Sequence, residues 1–203
     1  TSPTVILNFF GARDPVTGEG KLHLGRAQLA AGRREAGEIH TRESWVNPDF
    51  TLQTEQYLLA TYSSLLTEDD HIARADRLLW SRQVTAARRI FSRLPARERR
   101  IAEARAALLL GAANGPALYN ALPEADRADP GVMHSAVRYY HRANQELRAI
   151  EIAKLAPAEP ETLRNTARWW EERQLLMRYA LTEKLHADAY AMAAGHGLAP
   201  GAQ

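Results

Sequence analysis

The side chains in this chain that could do chemistry fall into a few short groups. Glu171-Glu172 follows directly on Trp169-Trp170. A carboxyl set among aromatic rings has its pKa raised by desolvation, which would suit a general acid. The plainer reading puts both carboxylates on the polar face of an amphipathic helix. Tyr139-Tyr140 and Trp169-Trp170 offer ring faces of the kind that stack on sugars, although two adjacent aromatics on a helix usually send one ring inward and leave the other at a helix seam. Arginines at Arg33-Arg34, Arg88-Arg89 and Arg97 to Arg100 could meet an anionic polymer, or could simply be solvated helix faces. From these groups Arg88, Arg89, Trp169 and Trp170 are taken as binding candidates. His134 and His141 lie two turns apart on one helix, too far for an i,i+4 metal pair. Phosphate-loop, dinucleotide, nucleophile-elbow and zinc-protease signatures are missing. No catalytic residue, metal or cofactor is therefore expected.

These residues must be positioned by a fold, and the composition points to helices. The 203 residues are 45% apolar and 25% charged, a balance that folds into a sizeable core. Ala, Leu, Arg and Glu dominate while Val and Ile are sparse, which is helix chemistry. With no cysteine, disulfides and thiolate metal sites are ruled out. Basic and acidic side chains number 26 and 24 and are interspersed, without the concentrated basic stripe of a nucleic-acid binder. No apolar run is long enough to span a membrane. The opening Thr1-Ser2-Pro3-Thr4 has no signal-peptide character, so a soluble chain is expected, either cytosolic or already trimmed, the missing initiator Met favouring trimming or excision from something longer.

Apolar residues recur at three and four along the chain and almost nowhere alternate. The pattern predicts about eleven helices: 19–31, 34–45, 54–66, 67–80, 84–94, 97–110, 116–122, 130–143, 145–155, 161–181 and 183–195. Asn47-Pro48-Asp49 reads as a break and Ala156-Pro157-Ala158-Glu159-Pro160 as the clearest linker. Residues 1–18 are expected to be a weakly structured or terminal segment, within a single domain spanning 1–203.

A phrase also recurs. Leu29-Ala-Ala-Gly-Arg-Arg-Glu-Ala36, Leu79-Trp-Ser-Arg-Gln-Val-Thr-Ala86, Tyr140 to Ala149 and Tyr179 to Ala187 each close one helix, turn, and open the next on a small alanine. A weaker copy around Leu110 to Leu118 completes units of roughly 30 to 40 residues. Such irregular repetition predicts an all-α fold: a right-handed α-superhelix, or α-solenoid, of antiparallel helix hairpins, TPR-like, in which each pair buries its apolar face on the next.

Thr67-Glu-Asp-Asp-His-Ile-Ala-Arg-Ala-Asp-Arg-Leu-Leu-Trp-Ser-Arg-Gln83, followed by Ala86-Ala-Arg-Arg89, resembles the helical superhelix of bacterial soluble lytic murein transglycosylases. There a DH-x-x-R-x-D-x-LLW segment precedes a helix rich in alanine and arginine. Arg42-Glu-Ser-Trp45 with Phe50 and Glu55 looks like the preceding helix and its tie; Arg168-Trp-Trp-Glu-Glu-Arg173 and Tyr190 to Gly197 look like later repeats. The likeness runs in order from about Gly20 to Gly197.

The resemblance implies the ring-forming, U-shaped part of a periplasmic enzyme that cleaves the β-1,4 bond between N-acetylmuramic acid and N-acetylglucosamine in peptidoglycan, leaving 1,6-anhydromuramoyl ends. In that family one glutamate acts as acid and then base, heading an ES dipeptide followed by a GAxGLMQ-like stretch. Glu43-Ser44 supplies the dipeptide, but Trp45-Val-Asn-Pro-Asp-Phe50 follows it and nothing later resembles the glycine-rich stretch. Glu43 is rejected as catalytic. The expectation is an incomplete, inactive superhelix whose partner is the glycan strand of peptidoglycan, reached through the parent enzyme. The alternative is a helical-repeat adaptor that takes a protein or peptide in its groove.

Overall fold

The computed structural model describes residues 2–47 and 49–197. Among them there are fourteen α-helices and no strand. They are α1 (Pro3–Phe10), α2 (Gly18–Ala30), α3 (Arg34–Val46), α4 (Leu52–Tyr62), α5 (Glu68–Trp80), α6 (Val84–Ile90) and α7 (Ala96–Leu109), then α8 (Gly115–Asn120), α9 (Glu124–Arg127), α10 (Pro130–Arg142), α11 (Glu146–Leu155), α12 (Pro160–Leu163), α13 (Thr166–Thr182) and α14 (His186–Ala194). Short 3-10 turns at Ser63–Leu65 and Phe91–Arg93 finish the segments that begin with α4 and α6. Pro48 and the tail beyond Gly197 lie outside the described residues.

The expected eleven helices are thus corrected to fourteen, and each addition has a local cause. Residues 1–18 are not merely a weak terminal segment: Pro3 opens α1 at a position where its missing N–H has no partner to lose, and Gly11 closes it at φ 56°. The single turn of α9 is too short for any period to register. The predicted helix over 161–181 is two helices, because Arg164 turns left-handed at φ 62° and the Asn165 side chain caps α13 by accepting from the Arg168 N–H at 3.3 Å.

Five of the fourteen helix starts carry a side-chain cap, that of α13 among them. Thr17 accepts from the Gly20 N–H, Thr51 from the Thr54 N–H, and Asp129 from the N–H groups of Gly131 and Val132. Thr67 and Asp70 form a reciprocal capping box at the head of α5.

The recurring phrase corresponds to one backbone device. Gly32, Arg82, Gly111, Asn144 and Lys184 all have positive φ, between 53° and 75°. At each, the N–H of that residue bonds the carbonyl three back and the next N–H bonds the carbonyl five back, as in Arg82 to Leu79 at 3.0 Å and Gln83 to Leu78 at 2.8 Å. This is the Schellman turn, which satisfies the last carbonyls of a helix and reverses the chain. Four of the five turns lead within two residues into the next helix, and α2 packs on α3, α5 on α6, α10 on α11 and α13 on α14. The small residue at the crossing is the fifth after the left-handed one: Gly37, Ala87, Ala149 and Ala189, all buried. Only Ala149 had been singled out; Ala36, Ala86 and Ala187 lie off the buried stripe.

Contacts divide the chain into two compact units, Thr1–Glu98 and Arg99–Gln203. In the first, α3 meets α2, α4 and α5 around fully buried Trp45, Leu58 and Leu78. In the second, α11 meets α10, α13 and α14, with Val137, Trp169, Leu176 and Met192 out of water.

Candidate functional site

The binding candidates taken from the sequence divide between the two units, Arg88 and Arg89 in the first and Trp169 and Trp170 in the second. Trp169 is fully buried, with the His134 ring edge-on at 5.4 Å and the Arg173 guanidinium 5.4 Å from its ring centre. It has no free face for a sugar. Trp170 is half-buried, edge-on to His196 at 6.0 Å. Tyr140 and Tyr139 divide in the same way, one buried and one half-buried. Arg88 is exposed, but Arg89 spends its charge on Glu55, with its Nε and Nη2 donating to the two carboxylate oxygens at 2.7 and 3.0 Å.

Of the carboxylates next to the tryptophans, Glu172 is not an acid in waiting. Burial pushes Glu172 upward, but the Arg138 guanidinium, donating at 2.6 Å, and His141 Nδ1, at 3.2 Å, outweigh it and hold the carboxyl below its ordinary value. A general acid at neutral pH needs the opposite shift. Glu172 instead ties α13 to α10. Glu171 pairs with Arg168 on its own helix, and Glu43 pairs with Lys21 across α3 and α2. Among the described residues, no three His, Asp or Glu side chains gather as a metal site requires, and no helix is long and apolar enough to cross a membrane.

What the sequence reading missed lies in the segment it had set aside. A groove of about 620 Å³ runs between α1, α2 and the end of α4. Its α1 wall is apolar, built from Ile6, Phe9 and Phe10, the two phenyl rings edge-on at 5.0 Å. Its polar groups come from the other side: His23 and Arg26, one turn apart on α2, and Tyr62. The Arg26 guanidinium sits 5.0 Å from the ring centre of Tyr57, which in turn meets Tyr62 edge-on at 6.2 Å. Burial and the neighbouring Tyr57 phenol raise the Tyr62 pKa, against the pull of Arg26, so the phenol stays protonated and able to donate. The legible signal was Pro3 ahead of an apolar run that ends at Gly11.

Compared with known families, characterised proteins and solved structures, the chain matches none.

Proposed function

We propose that this chain is a non-catalytic helical-hairpin scaffold from a periplasmic soluble lytic murein transglycosylase, its hairpins stacked in a right-handed superhelix that helps hold a peptidoglycan strand for a catalytic domain. Remote contacts of this kind lend binding energy to orientation. One observation carries the reading: the residues on which the resemblance rests are the ones that fasten the hairpins. Asp70 caps α5 and accepts from Arg42 at 2.8 Å. Arg74 bonds Glu55 and the carbonyls of Trp45 and Asn47, each at 2.7 Å. Glu172 and Arg173 tie α13 to its neighbours in the same manner. A motif made of buried fasteners suits an architectural role more than a reaction centre.

The test is retention of the purified chain on isolated sacculi at low salt, with mass spectrometry of the supernatant. Retention without anhydro-muropeptides is expected. Failure to be retained overturns the scaffold role, and release of anhydro-muropeptides overturns its being non-catalytic. Sequencing the surrounding reading frame tests the parentage: an ES dipeptide followed by a GAxGLMQ-like stretch downstream is expected, and its absence favours the adaptor.

A further inference from the structure

We infer that the groove between α1 and α2 is a binding site for a small molecule with an apolar body and one carboxylate. Its volume of about 620 Å³ falls within the range of pockets that enclose a single small ligand, roughly 300 to 1,000 Å³. The lining is segregated. Phe9, Phe10 and Ile6 present hydrocarbon along one wall, whereas Arg26, His23 and Tyr62 supply all the polar chemistry from the facing elements. A ligand that matches both walls has a greasy portion and a polar end.

The sign of that end follows from Arg26. Its guanidinium rests against Tyr57 and has no carboxylate partner among the described residues. An arginine cannot shed its charge, so a neutral apolar occupant would strip water from it and return nothing. A carboxylate instead gains paired, charge-assisted hydrogen bonds from the guanidinium, with the Tyr62 phenol as a further donor. A cationic ligand would meet repulsion. The Phe9 side of α1 is open to solvent, Phe9 itself being 69% exposed, so entry needs no rearrangement of the core.

The inference is independent of the peptidoglycan reading and is tested by calorimetric titration of the 203-residue chain with octanoate, with 1-octanol as the neutral control. Saturable one-to-one binding of octanoate, at least tenfold tighter than the alcohol, is expected. Arg26→Gln should weaken octanoate at least tenfold while leaving the melting temperature unchanged, since the side chain is exposed. Phe9→Asp should abolish binding with the fold intact. N-acetyl-leucyl-phenylalanine tests the alternative of a peptide C-terminus: octanoate binding more tightly than the peptide supports a small aliphatic acid, whereas the peptide binding more tightly would assign the groove to a chain terminus and overturn the inference. No saturable heat with either acid, equal affinity for the alcohol, or full affinity in Arg26→Gln would overturn it.

Discussion

Arg74 on α5 donates to Glu55 on α4 at 2.7 Å, with both side chains all but removed from water. The same guanidinium lies 4.3 Å from the Trp45 ring centre, so one cation joins three helices of the first unit. Removing one partner of a buried pair leaves the other charge uncompensated, at a cost of about 3–5 kcal/mol. Glu55→Ala should destabilise the chain by that amount in urea denaturation. Arg89→Ala, which removes a partly exposed cation and leaves Glu55 paired with Arg74, should cost about 1 kcal/mol. Equal effects of the two substitutions would mean that Arg74 is not the keystone.

The hairpin turns make a prediction of opposite sign at two equivalent positions. Lys184 holds φ 60° with a Cβ, a conformation that costs an ordinary residue about 1–2 kcal/mol, part of which glycine returns as unfolded-chain entropy. Lys184→Gly should therefore stabilise the chain by about 0.5–1 kcal/mol, and Gly32→Ala, at φ 75°, should destabilise it by about 1 kcal/mol. Thermal melts of the two variants should move apart. Shifts in the same direction would contradict a shared turn.

Gly25 and Gly37 mark the closest approach of α2 and α3. A Cβ on Gly25 would stand 2.7 Å from Thr41 Oγ1 and 3.0 Å from the Gly37 carbonyl, and backbone cannot step aside as a flexible side chain can. Overpacking of this kind costs about 1–3 kcal/mol, more than the gain in helix propensity of about 1 kcal/mol from replacing glycine. Gly25→Ala should lower stability in a chemical melt, whereas Gly111→Ala, which meets nothing within 4 Å, should show only the strain of its φ of 68°.

These positions explain how far the sequence could be read. Helix type and most boundaries were legible because the apolar period is strong and the caps are of ordinary kinds, as at Thr67 and Asp129. The repeat was legible too, but its register was not. The phrase reads as ending on a small alanine, whereas the chain sets its register by the left-handed residue, and three of the four repeats place a non-glycine there, Arg82, Asn144 and Lys184. Glu172 was read as lying on a polar helix face, whereas the fold buries it, and burial would raise its pKa were it not for Arg138 and His141, more than thirty positions away, which only the fold brings to it. The groove at Arg26 depends on α1 packing against α2, which no spacing within either segment announces.

The stability of the chain should fall in two steps on acidification. Burial, followed by the positive charges of Arg93 and Arg74, holds His71 below its usual value, against the pull of Asp70. The unfolded chain, with His71 near its ordinary value of about 6.5, therefore takes up a proton before the folded one does, so stability is complete above that pH and declines below it. Glu55, Asp70 and Glu172 resist the rise that burial imposes through Arg89 and Arg74, Arg42, and Arg138 respectively, and all lie below their ordinary values. Their contribution is full above the unfolded carboxyl range of about pH 4 and is lost as pH falls through the folded values. His71→Phe, which keeps a ring beside Trp45 where the imidazole now sits edge-on at 5.5 Å, should remove the first step and keep the second. Melting temperature measured from pH 8 to pH 3 separates the two, and an unchanged slope between pH 7 and 5.5 in His71→Phe would assign the first step to another group.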